Sequence, residues 1–216
     1  AARHRAQADV SLPRKKNAWA RLVRAKIEGQ ASVLENLKIR GSGELLALAD
    51  QVRSGDPGNV EAQAARLYWS RTLGRGVGRQ PAAGQLIGAN ACLDYGYAVL
   101  RGHLMRAVLT AGLAPALGVF HRGRGNAFAL ADDLIEPFRP AIDEVALPLP
   151  ATASPSDREV KQLLVAAASQ RFDVDGHGIP AVAEALAQSF GRYIEGDIDR
   201  LQVASWQGPS RVGMGD

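Results

Sequence analysis

Hydrophobic residues recur along this 216-residue chain at helical spacing. Leu93, Tyr97, Leu100, Leu104, Val108 and Ala111 follow one another at intervals of 4, 3, 4, 4 and 3. That is one apolar stripe of a helix, and Gly112 is suited to the left-handed position just past its end. Phe128, Ala131, Ile135, Phe138, Ile142 and Val145 repeat at 3, 4, 3, 4 and 3 and predict a second helix over 128–145. Pro137 lies inside it and should kink it, because proline lacks the N–H and clashes with the preceding turn. Trp19, Leu22, Val23, Ile27, Ala31 and Leu34 predict a helix over 18–38 capped by Asn17, with Arg21, Arg24 and Lys26 off the stripe. Shorter helices are predicted over 44–53 and 60–72. Ser156 and Glu159 form a capping-box pattern opening a helix to about residue 172, and Pro180 starts a last one to about residue 203. No segment alternates as a strand does, so the fold class is all-α, with about six to eight helices.

Between these segments lie breaks. Residues 1–16 read as an extended basic lead-in, with Pro13 blocking an early helix. Residues 74–84 are glycine-rich and carry Arg75 and Arg79. The run Gly74 to Gly78 resembles a phosphate loop only loosely, lacking the Gly-Lys-Ser/Thr ending and a preceding strand. From Trp206 onward periodicity is lost. The expected organisation is a basic lead-in over 1–17, a helical domain over 18–205 and a loose tail over 206–216.

Composition supports helices: 37 alanines against 6% aromatics favour close helix packing over sheet. The single Cys92 rules out an intrachain disulfide and fits a reducing compartment. No apolar run reaches the ~20 residues of a membrane span. The net charge of +4 is segregated: +6 over 1–30, −1 over 31–69, +6 over 70–125 and −7 over 126–200. Basic blocks of this kind point to an anionic partner such as nucleic acid, or else to solvated helix faces.

Asp132, Glu136 and Asp133 fall at about 0°, 40° and 100° around the helix predicted over 128–145, away from its apolar stripe. Three carboxylates that close repel unless a cation, a basic partner or water lies among them. Taken singly, His121 at the end of an apolar stretch and Glu61 on its helix read as structural and surface residues. Together Glu61, His121 and Glu136 make a carboxylate–imidazole set suited to Mg²⁺ or Mn²⁺. Arg71, Arg75, Arg79, Arg122 and Arg124 lie in or beside the loops near those helices. A metal beside phosphate-holding cations is what phosphodiester chemistry needs. Asp173-Val174-Asp175-Gly176 looks like the start of a calcium loop but lacks the later ligands.

Four stretches share the order and spacing of a known family. They are AWARLVRAKIEGQASVLE (18–35), GNVEAQAARLYW (58–69), NACLDYGYAVLRGHLMRAVLTAGLAPALGVFH (90–121) and ALADDLIEPFRP (129–140). The chain resembles the CRISPR-associated spacer-acquisition integrase, a metal-dependent endonuclease, and looks most like its type II form. The resemblance implies metal ligands at Glu61, His121 and Glu136, with Asp133 supporting them, and DNA contacts at the five arginines. It implies Mg²⁺ or Mn²⁺ as cofactor and DNA strand transfer into a CRISPR array. It further implies a small ferredoxin-like partner subunit, a homodimer in the full-length protein and a cytoplasmic location. Phe120 stands where type II relatives often have a second His, and Asp94 where the family usually has Asn. The family ordinarily begins with a β-rich domain, so the chain is expected to be the α-helical catalytic part. The other readings are a non-catalytic DNA-binding or assembly module and an unrelated phosphoesterase.

Overall fold

The computed structural model describes residues 2–74, 78–81, 84–121 and 125–209. The described residues form α1 (Ala2–Asp9), α2 (Leu12–Asn36), α3 (Ser42–Gln51), α4 (Val60–Thr72), α5 (Gly88–Thr110), α6 (Ala129–Leu134), α7 (Arg139–Ala146), α8 (Arg158–Ala167) and α9 (Ile179–Glu195). A 3₁₀ turn, Glu136–Phe138, joins α6 to α7. One isolated bridge, Arg171 to Gly178, is the sole β pairing among them, so the all-α expectation holds.

Two long helices organise the core. The predicted stripe of α2 is buried from Trp19 to Leu34, and that of α5 from Leu93 to Val108. Helix α2 packs against α3, the 3₁₀ turn, α7 and α4, while α5 packs against α9, α7, α6 and α8. The segment 129–146 thus lies between α2 and α5, and close approach is built in on both sides. A side chain at Gly29 of α2 would meet Pro140 Cγ at 2.8 Å, and one at Gly96 of α5 would meet Ile142 Cγ2 at 2.4 Å.

Five expectations change. The lead-in is helical: α1 covers Ala2–Asp9, and α2 starts at Leu12 with Pro13 in its first turn, where a missing N–H costs nothing. Asn17 is therefore interior and caps nothing. Helix α1 escaped the pattern because polar groups dock it. Arg3 donates to the Ala111 carbonyl at 2.6 Å and pairs with Glu195 at 2.8 Å, and the buried Gln7 amide bonds the Ala114 and Leu117 carbonyls. The helix expected over 128–145 is interrupted around Pro137, as the proline requires. Helix α8 is preceded by Asp157, and no side-chain cap bond forms there, so the capping box is not used. Finally, Trp206 is fully buried, tilted against Phe172 and donating to Glu144 Oε2 at 2.7 Å, so the chain stays ordered at the start of the expected tail.

Candidate active site

The break at Pro137 places Glu136 at the first position of the 3₁₀ turn, where it is 4% exposed. Glu61 comes from the first turn of α4. That turn is held by Asp56, whose two carboxylate oxygens accept the Val60 and Glu61 amides at 2.9 and 3.0 Å. Between the two glutamates stands Lys26 of α2. Its Nζ lies 2.7 Å from Glu61 Oε1 and 2.7 Å from Glu136 Oε2. Arg139 pairs with the other oxygen of Glu136 at 3.2 Å.

Burial opposes the charges of Glu136, Lys26 and Arg139, and their partners outweigh it. Desolvation pushes Glu136 upward, but Arg139 and then Lys26 hold it below the usual carboxylate range. Desolvation disfavours the Lys26 ammonium, but Glu136 and then Glu61 hold it above the ordinary lysine value. The site at rest is therefore an ionised triad with Arg139 as a fourth charge.

His121 is set by Asp133, which is fully buried. One carboxylate oxygen accepts the Val119 and Phe120 amides, the latter at 3.0 Å. The other accepts the His121 amide at 3.2 Å and faces its Nδ1 at 2.6 Å. The hydrogen bond that the ring donates to Asp133 is the main reason His121 is held above its ordinary pKa. Gly118 lets this loop close, since a side chain there would lie 2.8 Å from Asp133 Oδ2 and 2.5 Å from the His121 carbonyl. Phe120 stacks on Trp19 at 4.3 Å, nearly parallel, with His121 edge-on to both rings. A groove of about 320 Å³ beside them is lined by Lys15, Lys16, Trp19 and Phe120 among others.

The acidic face expected on this helix is not solvated. Asp132 pairs with Arg101 and accepts from Asn126 at 2.7 Å, Asp133 faces His121, and Glu136 has Lys26 and Arg139. The arginines divide. Arg71 is 41% exposed and pairs with Glu44 at 3.2 Å, so it remains at the surface. The Arg79 guanidinium is turned inward: it is 8% exposed, ion-paired with Asp94, bonded to Asn90 at 2.9 Å and stacked over Tyr97. That contact gives Asp94 its role and turns the Arg79 guanidinium away from solvent, unlike the expected DNA contact. Arg75, Arg122 and Arg124 lie outside the described residues.

Sequence reasoning missed Lys26, and its position carried the signal. At 100° per residue it falls within the arc of Leu22, Trp19, Val23 and Ile27, not off the stripe. It also missed Asp143 of α7, fully buried, which accepts from Tyr68 at 2.9 Å and, in a shorter bond, from Tyr97. Among the described residues, three ligating atoms lie within 4.8 Å of one another at Asp173, Asp175 and His177. There His177 Nδ1 is 2.9 Å from Asp173 in an exposed turn. The donor atoms of Glu61, His121 and Glu136 are farther apart than that, although the two glutamates already straddle one cation. Two carboxylates 2.7 Å either side of a positive charge, beside an imidazole, are a donor set that fits a hard divalent ion.

A family model described as CRISPR associated protein Cas1 matches residues 1–159. The chain belongs to the Cas1 family. A CRISPR-associated endonuclease Cas1 of Neisseria meningitidis serogroup C is 45% identical over 138 residues, which are 63% of this chain and 44% of that protein. The chain thus spans less than half the length of this curated relative. In fold it is similar to a casposase bound to integration product (TM-score 0.76, 18% identity, 96% of this chain and 68% of that one). It is likewise similar to a chain of a partial Cas6-RT-Cas1–Cas2 complex (TM-score 0.74, 16% identity, 94% and 72%). The resemblance drawn from the four sequence stretches is thereby borne out at the level of family and fold.

Proposed function

We propose that this chain is the helical catalytic domain of a Cas1-type integrase, acting on DNA by metal-dependent phosphodiester transfer. The observation that carries the reading is the convergence of Glu61 and Glu136, from separate elements, on one positive charge. Glu61, Glu136 and His121 would hold Mg²⁺ or Mn²⁺. The ion, when bound, supplies Lewis-acid polarisation of a phosphate oxygen and lowers the pKa of the attacking hydroxyl. The chain's own groups do the rest. Asp133 faces Nδ1 of His121, which orients the ring and leaves Nε2 as the ligating nitrogen. Arg71 exchanges an exposed, weak pair with Glu44 for a phosphate, and Arg75, Arg122 and Arg124 are proposed as further phosphate contacts. Lys15 and Lys16, beside the Trp19–Phe120 stack, add cations to the same side as His121.

Within the whole protein this domain would insert spacer DNA into a CRISPR array in the cytoplasm. It would work as a homodimer with a small ferredoxin-like Cas partner. Among the described residues no helix is long and apolar enough to cross a membrane. The test is Mg²⁺- or Mn²⁺-dependent cleavage of branched DNA by the wild type and by Glu61→Ala. Loss of turnover with DNA binding retained supports the site. Full activity in a Glu61→Ala, His121→Ala double variant removes it. Salt-dependent DNA binding by the wild type without metal-dependent turnover selects the non-catalytic binding module.

A further inference from the structure

The position of Lys26 raises a question that the metal-site reading leaves open. Its Nζ occupies the point toward which Glu61 and Glu136 both turn. A divalent ion held by those two carboxylates would need the same point. An ammonium and a divalent cation cannot share it, because two positive charges a few ångströms apart in a partly desolvated site repel strongly. Glu136 would not be left bare by the departure of Lys26, since Arg139 stays on its other oxygen. The contact on Oε2 is close but poorly aligned: Nζ is at 2.7 Å, short of the geometry of a well-formed hydrogen bond. The triad also has an open side. The Glu61 side chain is 25% exposed and Lys26 13%, against 5% for Glu136. The flexible lysine stem can therefore carry its ammonium outward past Glu61, toward the surface that the proposed function gives to DNA.

We infer that Lys26 is a tethered cation that competes with the divalent metal for Glu61 and Glu136, and that a DNA phosphate receiving its displaced ammonium links metal binding to DNA binding. The inference rests on the metal-site reading and goes beyond it by assigning a positioning role to a residue outside the ligand set. By linkage, whatever stabilises the displaced lysine tightens the metal, and the metal in turn tightens the DNA by the same factor. Without DNA, each metal ion that binds must break the lysine's two contacts. With DNA, the ammonium gains a new anion.

Lysine dimethylation followed by mass spectrometry, on the wild-type protein with and without Mn²⁺, tests the displacement. Lys26 labelling should rise severalfold with Mn²⁺ while Lys38 and Lys161 stay constant. Mn²⁺ affinity, read by electron paramagnetic resonance, tests the competition. Lys26→Met should bind Mn²⁺ about tenfold more tightly than the wild type. A branched DNA oligonucleotide should tighten Mn²⁺ binding more in the wild type than in Lys26→Met, because only the wild type adds the lysine's phosphate contact to the metal's own. Should Lys26→Met fold poorly, the wild-type labelling with and without Mn²⁺ still decides. Mn²⁺ binding with Lys26 labelling unchanged, or Mn²⁺ affinity equal or weaker in Lys26→Met, overturns this inference alone. Absence of Mn²⁺ binding from both proteins overturns it together with the metal site.

Discussion

Glu136 and Asp143 stand seven residues apart on one buried segment and have opposite electrostatic fates. Glu136 meets Lys26 and Arg139, and charge compensation keeps it ionised despite complete burial. Asp143 meets two phenols, Tyr68 and Tyr97, and burial dominates their hydrogen bonds, lifting its pKa to about 6. Burial alone therefore does not tell what a carboxylate is for. A group kept charged by cationic partners can bind another cation if one of them is displaced. A group held by neutral hydroxyls ties α4, α5 and α7 together, and Arg139, stacked over Tyr97 at 4.9 Å, joins the two regions.

The contrast is broken most sharply by removing one carboxylate from each region. Glu61→Gln keeps the shape of the triad but removes a proposed ligand. Metal-dependent turnover of branched DNA should fall about 10³-fold or more, roughly 4 kcal/mol of transition-state stabilisation. Because Glu61 is only partly buried, the denaturation midpoint should move little. Asp143→Ala should do the reverse. It leaves two buried hydroxyls without an acceptor, each worth about 1–3 kcal/mol, so unfolding free energy should drop by about 3 kcal/mol. Mn²⁺ affinity of the folded protein should remain that of the wild type. Urea denaturation and Mn²⁺ titration of both variants decide the matter, and an Asp143→Ala protein as stable as the wild type would end the assigned role.

The pH dependence follows with a defined sign. An aspartate titrates near 3.9 when unfolded, while Asp143 in the folded protein titrates at about 6. Between these values the native state holds the extra proton, so this group's contribution to stability is complete below about pH 4. It is lost as pH rises through about 6, and its size is at most about 3 kcal/mol. Asp143→Asn should flatten that limb of the stability profile between pH 4 and 6, leaving the contributions of Glu136 and other acids at lower pH.

These regions differ in how legible they were in the sequence. The stripes of α2 and α5 face one continuous core, so hydrophobic spacing alone located them. Glu61, His121 and Glu136 stood out through their order and spacing within four family-like stretches. Lys26 did not, because its burial depends on two acids 35 and 110 residues away, and periodicity reads only neighbours along one helix. Helix α1 and Trp206 escaped for a similar reason. Each is fastened by bonds to distant groups, Arg3 to Glu195 and Trp206 to Glu144, which leave no local pattern. The interruption at Pro137 was foreseen as a kink. Its consequence was not: the broken helix turns Glu136 inward, so the acidic face computed for an unbroken helix does not exist.

The smallest expected effect concerns Asp133, which belongs to neither type of carboxylate. Among the described residues it has no lysine or arginine partner and no phenol. It holds three successive amides and the His121 ring, so its work is to shape the loop that presents His121, the proposed ligand. Asp133→Asn keeps an acceptor for part of that set but offers an N–H where an amide or the imidazole must donate. The ring loses the partner that fixes its tautomer, while Glu61 and Glu136 keep their places. Losses from orienting groups of this kind run about 10–100-fold in metal affinity. Mn²⁺ binding to Asp133→Asn should weaken within that range, and turnover at saturating Mn²⁺ should recover in part. A variant whose turnover stays fully lost at saturating Mn²⁺ would show that Asp133 acts on the reaction directly and not through His121.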